Sequence, residues 1–507
     1  MPTAPASSPG LVFRQDGEAR RSSTAAAQHI LASALDALGA FASAQTTRAE
    51  KHWRQQYPHP ITHWVEGALL RPRAAVPSAE AGLAAAWEAL SWVGADGVER
   101  SLTEAMAAPE GWPLTTLTLK GEGPAQVQPW GLPYRGQTLR GDALLQQLLR
   151  WVEGGVLEAS AARALGRCAR HPEWFDLSDR CIALLGAGSE AGPLNWLVQW
   201  RANLLAVDLD QPEVWTRIAS VVRQGNATLR LPLRGPAGKD WTRQAGVDLL
   251  RDAPRAAAWL RSFERPLDLG AFAYAEGERH LRVSVAMDMV VQSVLGAQPE
   301  SSVAFLATPS EVFPVPEATA QLAQRRAASG QGPGAGLHPL LRAITGGRWF
   351  VPHYPELLKL QDGRRIGVSD SLVLQQGPNY AVAKRLQLWR ALVARQQRHR
   401  VSLNVAPATG TQSVLKNAAL AAGYRGAAAF DVEVFEPETT NAMMAALWVH
   451  DLRSDCAPSD PQVPLTHPFD LLTDQSCHGG LWVSAYRPRS ALPFAAALGF
   501  ARKVFRR

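Results

Sequence analysis

Residues 181–192 read Cys181-Ile-Ala-Leu-Leu-Gly186-Ala-Gly188-Ser189-Glu190-Ala-Gly192, an apolar run that enters a glycine-rich turn. A helix is predicted directly behind this turn, over 193–200. A strand, a tight glycine turn and a helix in this order allow the backbone to approach a pyrophosphate closely, and the first amides of the helix attract its charge. The segment therefore predicts a nucleotide-binding turn, although a strand–helix turn that binds no nucleotide has the same pattern.

An acidic residue follows the next predicted strand, at the position where a nucleotide-binding turn of this kind has a ribose-binding carboxylate. The next apolar run, 203–207, ends at Asp208, 22 positions after Gly186. A carboxylate there can accept hydrogen bonds from a ribose hydroxyl, which favours NAD and leaves NADP possible. Glu190 inside the turn would repel a pyrophosphate unless its side chain points to solvent. The expected cofactor-binding residues of this segment are Gly186, Gly188, Ser189, Gly192 and Asp208.

The pattern around this turn predicts the fold class. From Cys181 onward, short apolar runs alternate with amphipathic stretches, which is typical of an α/β protein with a parallel sheet. The predicted strands are 181–185, 203–207, 227–231, 267–274, 302–307 and 401–405, and the predicted helices between them include 247–263, 281–295 and 379–398. We expect a doubly wound, mostly parallel sheet of the Rossmann type, with an additional helical region before it.

The rest of the chain divides around this unit. Residues 1–175 form an N-terminal, mainly helical region whose first 22 or so residues are expected to be flexible. The dinucleotide-binding domain is expected over 176–490. A glycine-rich stretch predicts an insertion at about 315–365, and residues 491–507 are expected to form a basic C-terminal tail.

Composition narrows the function classes. The chain has 507 residues, 46% of them hydrophobic, and a formal net charge of +7. Its basic segments are not interleaved with aromatic residues, so no nucleic-acid partner is expected. No apolar run reaches the roughly 18 residues that span a bilayer. The four cysteines form no CxxC pair, which argues against a disulfide framework and a metal site. We expect a cytoplasmic protein, with organellar targeting left open by the first 50 residues.

A second motif carries acid–base chemistry. Tyr380 and Lys384 lie four residues apart in a predicted helix, and such residues share one helix face. A tyrosine hydroxyl can protonate a carbonyl oxygen, and a neighbouring ammonium is expected to lower its pKa from about 10. An ordinary pair on a helix surface has the same spacing.

The element that follows gives a family resemblance. Twenty residues after Lys384 comes Asn404, within Val401-Ser-Leu-Asn404-Val-Ala-Pro407-Ala408-Thr409-Gly-Thr411, a strand that ends in Pro and Thr. Here the chain resembles the short-chain dehydrogenase/reductase family, which places Tyr-x-x-x-Lys on a helix before a strand with such an end. Residues 438–452 are similar to the family's late helix and 479–483 to its last strand. The resemblance covers about 178–490 and implies hydride transfer with NAD(P), with Pro407, Thr409, Thr411 and Lys384 at the cofactor.

Three positions depart from the family pattern. Ala408 stands where the family has Gly. The family's Ser, which binds the reacting oxygen, has no counterpart directly before Tyr380, so Thr308 or Ser310 at the end of the run 302–307 takes that role, unless either simply caps a turn. The helix that carries the family's Asn has no Asn here, and Asp288 is the nearest polar candidate.

The expected function is that of an NAD(P)-dependent oxidoreductase acting on a small molecule. The catalytic residues would be Tyr380 and Lys384 with Thr308 or Ser310. Aromatic residues of the insertion, Trp349, Phe350 and Tyr354, suggest an apolar substrate and a lid or wall. The alternatives are a nucleotide-binding protein without turnover, serving as a sensor or docking subunit, and a nucleotide-dependent transferase. A homo-oligomer is possible.

Overall fold

The fold, taken from a computed structural model, is described for residues 9–15, 20–330 and 335–505. The strands are β1 (Gly10–Phe13), β2 (Leu90–Val93), β3 (Glu99–Arg100), β4 (Thr115–Lys120), β5 (Leu132–Tyr134), β6 (Gln137–Leu139), β7 (Cys181–Leu185), β8 (Asn203–Val207), β9 (Thr228–Leu233), β10 (Asp268–Ala271), β11 (Ser302–Ala307), β12 (Val312–Pro316), β13 (Leu358–Lys359), β14 (Arg365–Asp370) and β15 (Val401–Val405). The helices are α1 (Ser23–Ala37), α2 (Phe41–Ala49), α3 (Trp53–Gln56), α4 (Pro58–Leu70), α5 (Pro72–Glu88), α6 (Leu102–Ala107), α7 (Gly141–Glu153), α8 (Ala159–Arg170), α9 (Leu194–Leu197), α10 (Pro212–Gln224), α11 (Leu249–Arg261), α12 (Glu278–Ala297), α13 (Glu317–Ala328), α14 (His338–Ile344), α15 (Pro378–Gln396), α16 (Gln412–Lys416), α17 (Ala418–Gly426), α18 (Pro437–Arg453), α19 (Asp470–Thr473) and α20 (Pro488–Phe505).

A seven-stranded, mostly parallel sheet organises the molecule and confirms the α/β class. Its strand order is β15-β11-β10-β7-β8-β9-β4. All neighbours pair in parallel except β4 and β9, which are antiparallel. The six parallel strands coincide with the six predicted apolar runs. From β7 the chain moves outward through β8 and β9 and then crosses to the other side through β10, β11 and β15.

The sheet is buried on both faces, which explains why its strands are apolar throughout. Side chains alternate between the two faces of a strand. In β7, Cys181, Ala183 and Leu185 join the core under α5, α12 and α15, whereas Ile182 and Leu184 join the core under α8, α10 and α18. Each fully buried aliphatic side chain of this kind contributes about 1.5–3 kcal/mol. Helices therefore cover both faces, as expected for a doubly wound arrangement.

The N-terminal region is mainly helical, as expected, but it is built into the sheet. β4 pairs with β9 along its whole length, from Thr115 opposite Leu233 to Lys120 opposite Thr228. Helices α1, α4 and α5 contribute to the core on one face, and α7 and α8 contribute to the core on the other.

Both expected tails take up regular structure where they are described. Within 1–22, β1 pairs antiparallel with β2 and buries Leu11 and Phe13; residues 1–8 and 16–19 lie outside the described residues. The expected basic tail over 491–507 falls mostly within α20, which packs against α17. The two helices meet through small residues: a Cβ on Gly499 would lie 1.9 Å from the carbonyl oxygen of Ala422.

Three local expectations are corrected. The helix predicted over 193–200 is only the single turn α9 (Leu194–Leu197), and Arg201 follows with a positive φ of 56°. The insertion forms a small antiparallel sheet of order β12-β14-β13 with α13 and α14, and it extends to Asp370. The segment similar to a last strand, Leu481–Val483, is a short 3-10 helix. Among the described residues, no helix has the length and apolar content needed to cross a membrane.

Candidate functional site

A cavity of about 1000 Å³ opens at the carboxyl ends of the parallel strands. Successive strands each deliver a predicted or neighbouring residue to its wall: Gly186 follows β7, Asp208 follows β8, Thr308 follows β11 and Pro407 follows β15. Tyr380 and Lys384 of α15 line the same cavity, as do Ser189, Ser310, Thr409 and Thr411. The structure thus brings together the predicted cofactor-binding and catalytic residues, with one exception, Gly192.

The glycine turn is shaped by close approach to the neighbouring strand. Gly186 has a φ of +85°, and a Cβ at this position would lie 2.5 Å from the Cα of Ala273, which follows β10. Only glycine meets both conditions without strain. Gly192 lies behind the cavity wall, where its amide donates to the carbonyl oxygen of Ser189 at 2.9 Å.

Asp208 closes the turn from the side of β8. Its carboxylate accepts hydrogen bonds from the amides of Gly188 at 2.6 Å and Leu209 at 2.7 Å. Burial raises the pKa of Asp208 above its ordinary value, while these amides and the charge of Arg217 partly offset the rise. Arg217 in turn donates to the carbonyl oxygen of Gly188 at 3.0 Å. A carboxylate and a guanidinium therefore stand together at this end of the cavity.

The turn offers less to a phosphate than the sequence predicts. The helix behind it is one turn long, so its dipole is small, and the amides of Gly188 and Ser189 already donate within the protein. Glu190 is exposed, as a pyrophosphate site would require, but its carboxylate also accepts from the amide of Gln412 at 3.0 Å, and its carbonyl oxygen accepts from the Asn441 side chain at 2.9 Å. Glu190 therefore links the turn to the segment after β15.

Thr409 is held in place by a hydroxyl pair. Its hydroxyl contacts that of Thr440 in α18 at 2.7 Å and donates to the carbonyl oxygen of Pro407 at 2.8 Å. Asn404, from the same family-like stretch, lies away from the cavity and donates to Asp451 at 2.9 Å. The residues after β15, and not the Asn within it, reach the cavity.

Tyr380 and Thr308 meet as the order of strands predicts. Burial raises the pKa of the Tyr380 phenol, and a hydrogen bond with Thr308 is the largest opposing effect. The Thr308 hydroxyl is 2.9 Å from that of Ser310, which accepts from the Gln376 side chain at 2.8 Å. The two hydroxyls that the sequence offered for this role are thus bonded to each other in the wall of the cavity that Tyr380 also lines.

Lys384 does not act on Tyr380 as the spacing suggested. Its ammonium donates to the carbonyl oxygen of Leu306 at 3.2 Å and to the Gln387 side chain at 3.1 Å. Burial lowers the pKa of Lys384 from its ordinary value of 10.5 to about 8. The expectation of a lowered pKa for Tyr380 is wrong in direction, because removal from water outweighs any nearby charge.

His280 is a site residue that the sequence analysis missed. It lies in the first turn of α12, is 1% exposed and lines the cavity beside Tyr380. Burial, with the charge of Lys384, lowers the pKa of its imidazole to about 3. The available signal was its place in the helix after the fourth parallel strand, where only an Asn or an Asp was expected. Asp288 lies elsewhere, bonded to Arg390 at 2.6 Å and to Trp87 at 2.8 Å.

The far end of the cavity is apolar, but the insertion does not form it. α17, α20 and the segment between 427 and 434 supply its lining, which includes Leu420, Tyr424, Phe430, Val432, Leu492 and Ala495. Phe350 and Trp349 of the insertion instead contact Phe494 of α20, with ring centroids 4.4 Å and 5.0 Å apart. The insertion therefore supports the wall from behind.

Within the described ranges, no group of three or more His, Cys, Asp or Glu side chains is arranged to hold a metal ion. No protein-family model and no curated protein matches this chain.

Proposed function

We propose that this chain is an NAD(P)-dependent oxidoreductase that reduces a carbonyl or an activated double bond of an apolar small molecule, or oxidises the corresponding alcohol. One observation carries the proposal. A single cavity is lined both by the Gly186–Asp208 turn and by the group Tyr380, Thr308 and Lys384. A nucleotide site and a proton donor have to share one cavity if hydride and proton are to reach the same substrate.

The strand order supports this proposal. Counted from β7, the parallel strands lie in the spatial order 3-2-1-4-5-6, which is the order of the doubly wound Rossmann domain. The order reverses between β7 and β10, and ligands of such sheets bind in the crevice beyond the carboxyl ends at this reversal. Gly186 and Ala273, which line the cavity, stand at these two strand ends.

The residues present fit a dinucleotide at several points. Gly186 and Gly188 would let the backbone approach it, and Asp208 would receive a ribose hydroxyl, which favours NAD(H) over NADP(H). Lys384, Thr409 and Thr411 would hold the nicotinamide half. Glu190 is the feature that fits least, since it brings a carboxylate to the lining of the cavity and bonds the Gln412 amide.

The chemistry divides between cofactor and protein. NAD(P), when bound, supplies or accepts a hydride. The chain's own part is to hold and deliver a proton, and the raised pKa of Tyr380 keeps its phenol protonated at neutral pH. A protonated phenol can donate to a substrate oxygen, as reduction requires, and its raised pKa makes it a weaker acid than a free tyrosine. The Thr308–Ser310 hydroxyl pair would orient the phenol, and Lys384, with a pKa of about 8, would supply positive charge to the cavity.

The apolar end of the cavity suggests the substrate class. Its wall of Leu420, Phe430 and Leu492 offers no charge to a substrate, and such walls recognise apolar groups by burying them. A compound with a carbonyl group near Tyr380 and an apolar chain or ring toward α17 and α20 matches both the proposed proton donor and the apolar wall.

A turnover assay tests the proposal. Carbonyl compounds and enones of increasing apolar size are incubated with the protein and NADH or NADPH, and loss of the reduced cofactor is followed by its absorbance. We expect turnover that rises with apolar size. Binding of the nucleotide without turnover of any such compound would favour the second candidate, a nucleotide-binding sensor or docking subunit. The raised pKa of Tyr380 and the bond from Lys384 to Leu306 are also compatible with that candidate.

A further inference from the structure

A helix beside the apolar end of the cavity turns its apolar side to solvent. Leu337, Leu340 and Ile344, in and just before α14, are 58%, 55% and 72% exposed. Residues three, four and seven apart share one side of a helix. The inward side of α14 carries the buried His338 and the partly buried Leu341. A surface helix normally exposes polar residues, whereas α14 exposes these three large apolar side chains together with Arg342.

Helix α20 shows the same feature independently. Its solvent-facing residues Pro493, Ala497, Phe500 and Ala501 recur at helical spacing, and all four are apolar. Its inward-facing residues, including Ala495, line the cavity. Residues 491–501 of α20 are apolar on all sides; such a stretch is normally covered on all sides, yet its outer side meets solvent.

The two helices adjoin each other. Trp349, which follows α14, contacts Phe494 of α20 edge to face, with ring centroids 5.0 Å apart. Trp349 is itself 38% exposed, and Phe500 is 48% exposed. We call this region the apolar surface, defined by Leu337, Leu340, Ile344, Trp349 and Phe500.

The two segments that carry the apolar surface are basic, and the nearby carboxylate of Asp431 lies 4.0 Å from Arg326. Residues 318–355 contain four arginines and no Asp or Glu, and residues 475–507 contain six Arg or Lys and no Asp or Glu. Arg325, Arg342 and Arg348 are exposed. In the sequence, Arg502 and Lys503 come directly after the exposed Phe500 turn of α20. A partner for this face must therefore present apolar groups beneath negative charge.

We propose that the apolar surface docks the protein onto an anionic lipid bilayer. The leucines, Ile344 and Phe500 enter the boundary between headgroups and acyl chains, Trp349 lies at the headgroup level, and the arginines meet lipid phosphates. A second copy of this chain fits less well, because a two-fold interface would bring the same arginines together. Since α20 also lines the cavity, docking brings the apolar end of the cavity to the bilayer.

Vesicle sedimentation with the full chain tests this inference. Vesicles of phosphatidylcholine alone are compared with vesicles of phosphatidylcholine and phosphatidylglycerol in equal parts. We expect binding to the anionic vesicles only, weakened by salt. The variant Leu340→Ser, Ile344→Ser, Phe500→Ser should lower the partition coefficient by at least about tenfold. The pair Arg342→Gln, Arg348→Gln should lower it by about fivefold for each arginine.

A matched control uses exposed apolar residues elsewhere. Phe41, Val98 and Trp112 are 68%, 52% and 88% exposed, and their replacement by Ser should leave vesicle binding unchanged. Melting curves of both triple variants check that they fold. Failure of the wild type to bind anionic vesicles, or an equal loss in both triple variants, would overturn the inference. So would a dimer in sedimentation velocity that Leu340→Ser, Ile344→Ser, Phe500→Ser dissolves, since the surface would then belong to a second copy.

Discussion

The imidazole of His280 lies parallel to the phenol of Tyr380, with ring centroids 5.2 Å apart and 17° between the ring planes. The imidazole Nδ1 accepts a long hydrogen bond from the amide of Ala275 at 3.4 Å. Its Nε2 is buried and finds no hydrogen-bond partner among the described residues. The neutral, buried His280 ring thus packs against one face of the Tyr380 ring, which carries the proposed proton donor.

This enclosure predicts an acid-sensitive contribution to stability. The pKa of His280 is about 3 in the folded protein against 6.5 in its ordinary state. Between these values the unfolded chain binds a proton that the folded chain does not, so stability falls as pH drops through this window. In His280→Gln, urea unfolding midpoints should decline less from pH 6.5 toward pH 3 than in the wild type. His29→Gln, at an exposed position, is the control; an equal decline in wild type and His280→Gln would contradict the account.

Tyr380→Phe should reduce turnover by on the order of 10²–10⁴ while cofactor affinity stays nearly the same. The substitution removes the proton donor but keeps the ring beside His280. The readout is kcat for carbonyl reduction together with the Kd of the cofactor. Tyr424→Phe is the matched control, because Tyr424 lines the same cavity and is half-buried, like Tyr380. If both variants keep full turnover, Tyr380 is not the donor.

Lys384→Met should stabilise the protein at neutral pH and impair its activity. The folded pKa of about 8 lies below the ordinary value of 10.5, so the unfolded chain binds the extra proton between these values and wild-type stability rises with pH across this window. Below about pH 8 the buried ammonium opposes folding, and Met removes this penalty. Melting temperatures across the pH range, with exposed Lys359→Met as control, measure the effect. A lower melting temperature for Lys384→Met at neutral pH would contradict it.

Glu190→Gln should increase the affinity for the dinucleotide. The Glu190 carboxylate lies at the lining of the cavity and bonds the Gln412 amide, and a negative charge there repels a pyrophosphate. Isothermal titration with NADH should give a lower Kd for the variant, with a smaller difference at high salt. Glu276→Gln removes another carboxylate from the cavity lining and should change the Kd less. A weaker affinity in Glu190→Gln would mean that Glu190 helps to shape the site.

The sequence predicted the parallel strands well and their surroundings poorly. Runs such as 203–207 are buried on both faces, so their apolar content alone reveals them. The pairing of β4 with β9 joins residues more than a hundred positions apart, and nothing local signals it. The one-turn α9 likewise reflects tertiary packing, which overrides helix propensity.

The sequence likewise predicted some features of the candidate site and missed others. The order of strands and helices was enough to predict that Thr308, Tyr380 and the Gly186 turn share a cavity, since the carboxyl ends of parallel strands lie at one edge of the sheet. The pKa of Tyr380 was not predictable from an i, i+4 spacing, because burial determines it. His280 was missed because its role depends on a ring contact that only the folded chain shows.

Isothermal titration of NADH into the wild type and Gly188→Val tests the central claim most directly. Gly188 has no positive φ, and an added Cβ would lie 2.7 Å from the Arg217 guanidinium and 3.2 Å from the Asp208 carboxylate. The variant should therefore fold but crowd the proposed nucleotide end. Gly296→Val, where an added Cβ meets nothing within 4 Å, is the control. We expect NADH to bind the wild type and Gly296→Val, more tightly than NADPH, and not to bind Gly188→Val. Absence of NADH and NADPH binding to the wild type, or equal affinity in Gly188→Val, would contradict the account.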